Sequence, residues 1–255
     1  MAIQLRKALR SIQYFFPFLQ DSRFYIQRYY NKIRKSTMHE DFFALSLFKW
    51  PDPSLFIDVG ANRGFSIQAM KMIVPHAMIK AFEPNPIIFN RLKKIYEESS
   101  DIDLHEIGLG ESSLDTTLWV PVYRQWLLDG LGSFDRDEAY NWLNSDRVYF
   151  FDERHLQLRQ YPCAIRRLDE FELAPAFIKI DVQGFEPQVL RGAEATLHRS
   201  HPLLMIENPD SFADVDFLQQ AGYTICTYEN GRLLPGRAGK VNSFFLTDQH
   251  LRQLS

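Results

Sequence analysis

Cysteine is scarce in this sequence: 255 residues hold two, Cys163 and Cys226, 63 positions apart and outside any paired spacing. That excludes a disulfide framework and a cysteine-based zinc site, and it makes a reducing cytoplasm the expected setting. Long apolar runs are also missing. The longest uncharged stretch near the amino end, residues 11–20, contains two Gln and a Pro, and it falls far short of the roughly 18–20 apolar residues a bilayer-spanning helix needs. It follows Arg6, Lys7 and Arg10 as the apolar part of a signal peptide would, but no small-residue cleavage site succeeds it and Asp21 and Arg23 come at once. The chain therefore reads as unsecreted. There is no internal repeat and no low-complexity tract. A strong excess of one charge is absent too, the net being −3, yet its distribution is uneven. Residues 1–35 carry eight Lys or Arg against the single Asp21, a net of +7, while the other 220 residues carry 21 basic against 31 acidic side chains, a net of −10. An acidic body argues against a general nucleic-acid clamp, whose affinity comes mostly from neutralising phosphates.

What is present is ordinary globular composition, 45% apolar and 24% charged, which fits one large folded domain with an extension. Residues 1–50 form that extension: bases interleave with Phe15, Phe16, Phe18, Tyr25, Tyr29 and Tyr30. Two readings stand, an amphipathic helical element at a membrane surface or against a partner, and a helical flap packed on the main domain. From residue 51 the texture becomes short apolar runs alternating with helical periods, the signature of βαβ units and a parallel sheet. Strands are expected at 55–59, 77–82, 103–107, 177–181 and 203–207, with helices between them. Asn85 and Pro86 serve as N-cap and first-turn proline of the second helix. A helix is expected over 188–198, begun by Pro187, and another near 214–221, with Ser211 and Asp214 as a capping-box pair and Gly222 ending it. Two further strands, 223–228 and 241–247, are joined by a glycine-rich turn region without a helix, which would make one of them antiparallel. The count is seven. Residues 121–162 break the rhythm with Tyr123, Trp126, Tyr140, Trp142, Tyr149, Phe150 and Phe151, an insertion too long for a simple connection and of the kind that carries function or a lid. Trp126, Tyr140 and Trp142 could stack on a sugar or an apolar ring, or form the insertion's own core.

Chemistry concentrates at the carboxyl ends of the expected strands, where open parallel sheets bind their ligands. The first strand runs through Asp58 into Gly60-Ala61-Asn62-Arg63-Gly64, a glycine turn that lets a ligand approach the backbone but lacks the G-x-G-x-x-G of dinucleotide binders. The second strand ends at Glu83, about 20 residues on, where a carboxylate can accept both hydroxyls of a ribose. The fourth delivers Lys179 and Asp181, two apart and so on one face. Asp181 could touch a cofactor amino group, orient a substrate hydroxyl or hold a metal, and Lys179 reads as its buried partner. The fifth ends in Glu207-Asn208. Histidines 76, 105, 155, 198 and 201 sit in no spacing that selects one as a base, His155 being set apart only by lying in the insertion.

Taken together, FIDVGANRGFS, AFEPNP, IGLGE, RRLDEF, IKIDVQGFEPQVLRGA and LLMIE, spread in order over residues 54–208, resemble the FkbM family of S-adenosylmethionine-dependent methyltransferases. The resemblance implies an α/β, Rossmann-like class I methyltransferase fold: a seven-stranded, mostly parallel sheet with the last strand antiparallel and helices on both faces, here spanning residues 51–255. It places Asp58, Gly60, Asn62 and Gly64 around the methionine part of the cofactor, Glu83 on the ribose with Asn85 beside it, and Glu106, Gly108 and Leu109 along the adenine. Asp181 would lie beside the transferred methyl and, with Glu207, carry the catalysis. Gln183 departs from the family's more frequent Glu, which puts in doubt any role needing a base there, while Glu186 keeps the second acid of the pattern. Asp181, Glu207 and Asn208 also resemble in placement the magnesium ligands of catechol-type O-methyltransferases, an alternative not favoured over a metal-free site. The family implies methylation of a hydroxyl, of a sugar in a glycan or glycolipid or of a secondary metabolite. The cysteine usage makes a cytoplasmic enzyme the expectation, and the extension makes it one that contacts the membrane surface through residues 1–35 if the first reading of that segment holds. The rivals are a cofactor-binding regulatory protein without turnover and an N-methyltransferase of protein or nucleic acid. Against the latter, Asn208-Pro209-Asp210 is only a partial echo of an Asn-Pro-Pro-Tyr motif. A dehydrogenase fits least, because the glycine turn is wrong for it.

Overall fold

The structure, a computed structural model, describes residues 18–34, 36–37, 39–124, 126–209 and 211–254. Helix α1, Phe18–Arg34, is followed by a 3-10 helix, Glu40–Leu47. The expectations for Phe15, Phe16 and the side chains of Phe18 and Tyr25 lie outside the described residues. The alternating region then runs β1 (Ser54–Val59), α2 (Phe65–Ile73), β2 (Ala77–Phe82), α3 (Pro86–Tyr96) and β3 (Ile102–His105). Next come β4 (Gly108–Leu109), β5 (Leu114–Tyr123), β6 (Trp126–Leu127), α4 (Arg136–Asn141) and β7 (Leu156–Arg166). The chain closes with β8 (Phe177–Ile180), α5 (Glu186–Arg191), α6 (Glu194–Ser200), β9 (Leu203–Glu207), α7 (Phe217–Gln220), β10 (Thr224–Glu229), β11 (Arg232–Pro235), β12 (Asn242–Leu246) and α8 (Asp248–Gln253).

The main sheet has the order β11-β10-β12-β9-β8-β1-β2-β3. Strands β3, β2, β1, β8 and β9 are parallel, and β12 is antiparallel to both β9 and β10. This is the expected arrangement with one strand more. Strand β11 pairs antiparallel with β10 through Asn230 and Gly231, at φ 51° and 78°, the left-handed pair that a two-residue hairpin turn demands. The near-continuous apolar strands are buried on both faces, as parallel strands covered by helices must be. Phe56 and Phe177 face Phe42 and Leu45 of the 3-10 helix, Met70 of α2 and Leu92 of α3. Ile57, Val59 and Ile180 face Val189, Leu190, Leu197 and Leu218 of α5 to α7. Each fully buried side chain of this size contributes about 1.5–3 kcal/mol.

Three expected elements differ. The helix expected over 188–198 is two helices, α5 and α6, broken at Gly192 and Ala193. The last crossover is a 3-10 turn, Phe212–Val215, followed by the four-residue α7, and Ser211 makes no side-chain cap bond, so the capping box does not form. Gly222 follows at φ 84°. The expected insertion 121–162 belongs to a second sheet of order β4-β7-β5-β6 that starts at 108 and ends at 166. Its centre is the long antiparallel pair β5–β7, in which Pro121 faces Leu158 and Pro162 faces Thr117. Prolines inside both strands argue against strand in a reading of the sequence. Its own small cores hold Leu118, Val120 and Cys163, and Tyr123, Leu128, Leu143, Val148 and Leu156.

The second sheet meets the main body where Gly110 touches Gly192. A Cβ on Gly192 would stand 1.9 Å from the Gly110 carbonyl oxygen, while the Gly192 backbone itself is helical at φ −73°. Propensity alone would reward Ala there by about 1 kcal/mol. The contact predicts the opposite: Gly192→Ala should lower stability by about 2 kcal/mol, read as an earlier urea midpoint, and a later midpoint would contradict the close approach.

Candidate active site

The carboxyl edge of the main sheet collects the acids. Asp58, in β1, is fully buried and registers against Lys179 in the neighbouring β8, so the two side chains lie side by side on the α2 face. Lys179, itself 5% exposed, sets its Nζ 3.6 Å from Asp58 Oδ1 and 3.1 Å from Asp181 Oδ2, and donates to the Gly60 carbonyl oxygen at 3.4 Å. Ser66 of α2 donates to Asp58 Oδ2 at 2.5 Å. Burial pushes the Asp58 carboxyl upward against the pull of Lys179 and Ser66. Burial also opposes the charge of Lys179, but Asp58 and Asp181 more than offset it and hold the ammonium above its ordinary value.

The glycine turn is shaped by close approach. Gly60 has φ 78°, and a Cβ there would lie 2.0 Å from the Asp181 carbonyl oxygen, so this position admits only Gly. The amides of the turn are already committed: Gly60 and Ala61 donate to the Phe82 carbonyl oxygen at 3.0 and 3.1 Å, and Asn62 donates to Glu83 Oε2 at 2.8 Å. A pyrophosphate would need those donors, so the turn is not a phosphate cradle. Glu83 is buried and also accepts from the Asn85 amide at 2.9 Å. Burial raises it to about 7 against those two bonds. As an acceptor with about four lone-pair sites, its carboxylate keeps capacity for ligand hydroxyls.

Two cavities meet over this edge. One, about 480 Å³, is lined by Gly60, Asn62, Glu83, Asn85, Gly108, Leu109, Asp181 and Gln183, with Phe134, Phe185 and Ile88 as apolar walls. The other, about 440 Å³, shares Gly60, Asn62, Asp181 and Gln183 and adds Lys179, Glu207, Arg63, His39, Phe24 and Trp142. Of the residues expected to bind or react, Gly60, Asn62, Glu83, Asn85, Gly108, Leu109, Asp181 and Glu207 therefore come together at cavity walls. Asp58 and Gly64 stand behind the wall. Gly64, at φ 73°, packs against Leu92 and Tyr96, and Asp58 acts through Lys179. Glu106 is exposed on the turn before β4. Asn85 is fully engaged, its Oδ1 capping α3 at Ile87 and its Nδ2 donating to the Asp129 carbonyl oxygen at 2.7 Å.

At the junction of the cavities, Gln183 Nε2 lies 3.0 Å from Glu207 Oε2 and 3.4 Å from Asp181 Oδ1. Its amide bridges two carboxylates where a Glu would bring a third negative charge, which gives the departure from the family pattern a physical sense. Gln183 and Gly184 both have positive φ, and the buried Glu186 holds this turn by accepting from the amides of Val182 and Gly184 at 2.9 and 3.2 Å. Burial works against the charge of Asp181, yet Lys179, Glu207 and Gln183 together keep it below the usual carboxylate range. Glu207 moves the other way, pushed up to about 8 by burial and then by Asp181 beside it. Asn208 is not free to join them, since it donates to the Gly239 carbonyl oxygen at 2.8 Å and accepts from Ser243 at 2.6 Å. Magnesium wants several unencumbered hard oxygens. With Asn208 committed and Asp181 held by an ammonium and an amide, the donor set does not fit that ion, and among the described residues no group of three or more His, Cys, Asp and Glu side chains is placed to hold a metal.

Several wall residues gave no local signal in the sequence. Asp129 is buried between Arg63, at 2.6 Å, and Arg91, and so ties the second sheet's connection down over the glycine turn. His39 and Phe24 come from the amino-terminal segment, whose Arg28 donates to the Arg63 carbonyl oxygen at 3.1 Å and whose Arg28 carbonyl accepts from Gln68 at 2.9 Å. Trp142 packs partly buried against the insertion's core, as the second reading of it had it, and also lines the cavity. Tyr140 packs in that core and donates to Glu153, whereas Trp126 is 37% exposed. His155 is exposed on the far part of the second sheet, beside Arg124 and Arg159.

The strand order, with β12 and the added hairpin strand β11 running against the other six, is that of the class I methyltransferase fold. The methyltransferase FkbM domain profile matches residues 58–225, more than half of the chain, and the chain belongs to that family. Methyltransferase 1 of Beauveria bassiana (strain ARSEF 2860) is 27% identical over 175 residues, covering 64% of this chain and 69% of that protein. The crystal structure of methyltransferase FkbM from Methylobacillus flagellatus KT aligns over 80% of this chain with a TM-score of 0.50 at 17% identity, a likeness of fold, and this chain spans 47% of its length. Precorrin-6y C5,15-methyltransferase from Geobacter metallireducens GS-15 is more distant, with a TM-score of 0.41 at 11% identity over 82% of this chain and 90% of that one.

The buried charges give a direct prediction. Lys179→Met leaves Asp58 and Asp181 without their shared cation and should cost about 3–5 kcal/mol at pH 7, measured by denaturant unfolding. The deficit should shrink as pH falls and the two carboxyls take up protons. A variant as stable as wild type at pH 7 would contradict this account of Lys179.

Proposed function

We propose that the chain is an S-adenosylmethionine-dependent O-methyltransferase acting on a hydroxyl, with a sugar of a glycan, glycolipid or secondary metabolite as the acceptor. The observation that carries the reading is the Asp181–Glu207 pair at the junction of the two cavities. One carboxyl is held ionised and the other is raised to about 8, an arrangement that sets an anion beside a group able to take up and release a proton.

The 480 Å³ cavity suits the cofactor. Its size lies within the usual range for small-molecule sites, Glu83 offers carboxylate oxygens for ribose hydroxyls, and Phe134, Phe185 and Leu109 offer apolar walls for a purine. S-adenosylmethionine supplies an electrophilic methyl on a sulfonium. Asp181, kept charged by Lys179, puts a negative charge where that cation belongs. The 440 Å³ cavity then takes the acceptor, with Trp142 as a face for a sugar ring. Glu207 accepts the hydroxyl proton at its carboxylate, Gln183 fixes both carboxylates, and the lining of Phe24, Leu128, Leu131 and Trp142 limits water.

A base must be deprotonated to act, so the transfer rate should rise with pH and level off above about 8. Glu207→Gln should lose that rise together with roughly 100- to 10,000-fold of the rate, measured by transfer of labelled methyl to a panel of free and lipid-linked sugars. No transfer to any hydroxyl acceptor by a folded, cofactor-loaded sample would contradict the enzymatic reading, and an unchanged pH profile in Glu207→Gln would remove Glu207 from its role.

A further inference from the structure

Helix α1 has two faces of different character. Phe24, Arg28 and Asn31 turn toward the body: Phe24 lies against Phe65 with ring centroids 6.1 Å apart and under the Arg63 guanidinium at 4.3 Å, Arg28 bonds to the Arg63 backbone, and Asn31 is 3% exposed. Half a turn away stand Ile26, Tyr29, Tyr30 and Ile33, spaced i, i+3, i+4 and i+7, and 68, 68, 51 and 61% exposed. In a helix that serves only its own domain this stripe would point inward. A continuous exposed apolar stripe of this length marks a surface that meets something.

Charge identifies what it meets. The segment containing the stripe, residues 1–35, holds +7, and the remainder of the chain holds −10. An anionic surface would attract the first, repel the second, and so turn this face toward itself. A second copy of the chain meeting the stripe about a two-fold axis would instead bring two segments of +7 together. The side chains also suit a lipid boundary: two isoleucines for the acyl edge, two tyrosines whose rings bridge apolar and wet layers, and Arg34, whose guanidinium lies 5.7 Å over the Tyr30 ring.

We propose that the outward face of α1, Ile26, Tyr29, Tyr30 and Ile33, docks onto an anionic lipid surface. The same helix supplies Phe24 to the 440 Å³ cavity, so docking holds that cavity's amino-terminal wall at the membrane. None of this depends on the chemistry assigned to the cavity.

The test is co-sedimentation of the full chain with vesicles of phosphatidylcholine alone or with about one-third phosphatidylglycerol, at low and high salt. The wild type should bind the anionic vesicles, and binding should fall roughly tenfold on neutral vesicles or in high salt. Ile26→Ser combined with Ile33→Ser should weaken binding to anionic vesicles roughly tenfold while leaving the unfolding midpoint unchanged, since both side chains are exposed. Three results would overturn the proposal: no binding by the wild type, equal binding by the double variant, or a lipid-free wild-type dimer that the double variant converts to monomer. The last would make the stripe a contact between copies.

Discussion

The Lys179 ammonium between Asp58 and Asp181 is the interaction on which the rest of the site depends. Asp58 and Lys179 are partners in adjacent parallel strands, and Asp181 follows Lys179 by two residues, so three charges fall on one face of the sheet at its carboxyl edge. Unpaired, either of the two buried ones, Asp58 and Lys179, would be too costly to keep there; paired, and with the partly exposed Asp181 beside Lys179, they are balanced closely enough to stay. The consequence is positional. Lys179 also reaches the Gly60 carbonyl oxygen, so the charge set that joins β1 to β8 also fixes the first residue of the glycine turn and the carboxylate that faces both cavities.

A second carboxylate organises the other half of the edge. Glu83 accepts from Asn62 on one side and Asn85 on the other, linking the turn after β1 to the cap of α3. Asn85 passes the link to the Asp129 backbone, and the Asp129 side chain passes it to Arg63 and Arg91. The floor of the cleft and the connection that roofs it are therefore one hydrogen-bonded and ion-paired network. The Asn62 amide is spent on Glu83 and those of Gly60 and Ala61 on the Phe82 carbonyl oxygen, so the turn has none of these three left for a phosphate.

Much of this was legible in the sequence because parallel strands deliver their last residues to a common edge. Asp58, Glu83, Asp181 and Glu207 each close an apolar run, and that pattern alone brings them together. The reversed strand was legible from two closing strands without a helix between them, and the hairpin strand β11 was signalled by Asn230-Gly231, a turn pair hidden inside what reads as a generic glycine-rich stretch. The second sheet was not legible, because Pro121 and Pro162 interrupt the two strands that build it. Asp129 and His39 were not legible either: Asp129 meets Arg63 across 66 positions of chain, and such contacts exist only once the fold has closed. Gln183 was visible as a departure, but its bridge between Asp181 and Glu207 rests on the left-handed turn that Glu186 holds.

The central claim is that the carboxyl edge built around Lys179 and Glu83 holds S-adenosylmethionine. Calorimetric titration with S-adenosylhomocysteine tests it most directly, on wild type and on Glu83→Ala shown to be folded by its unfolding transition. The account predicts saturable one-site binding by wild type and roughly 10- to 100-fold weaker binding by the variant, the loss expected when charged hydrogen bonds to ligand hydroxyls are removed. No binding by folded wild type, or equal affinity in the variant, would contradict it.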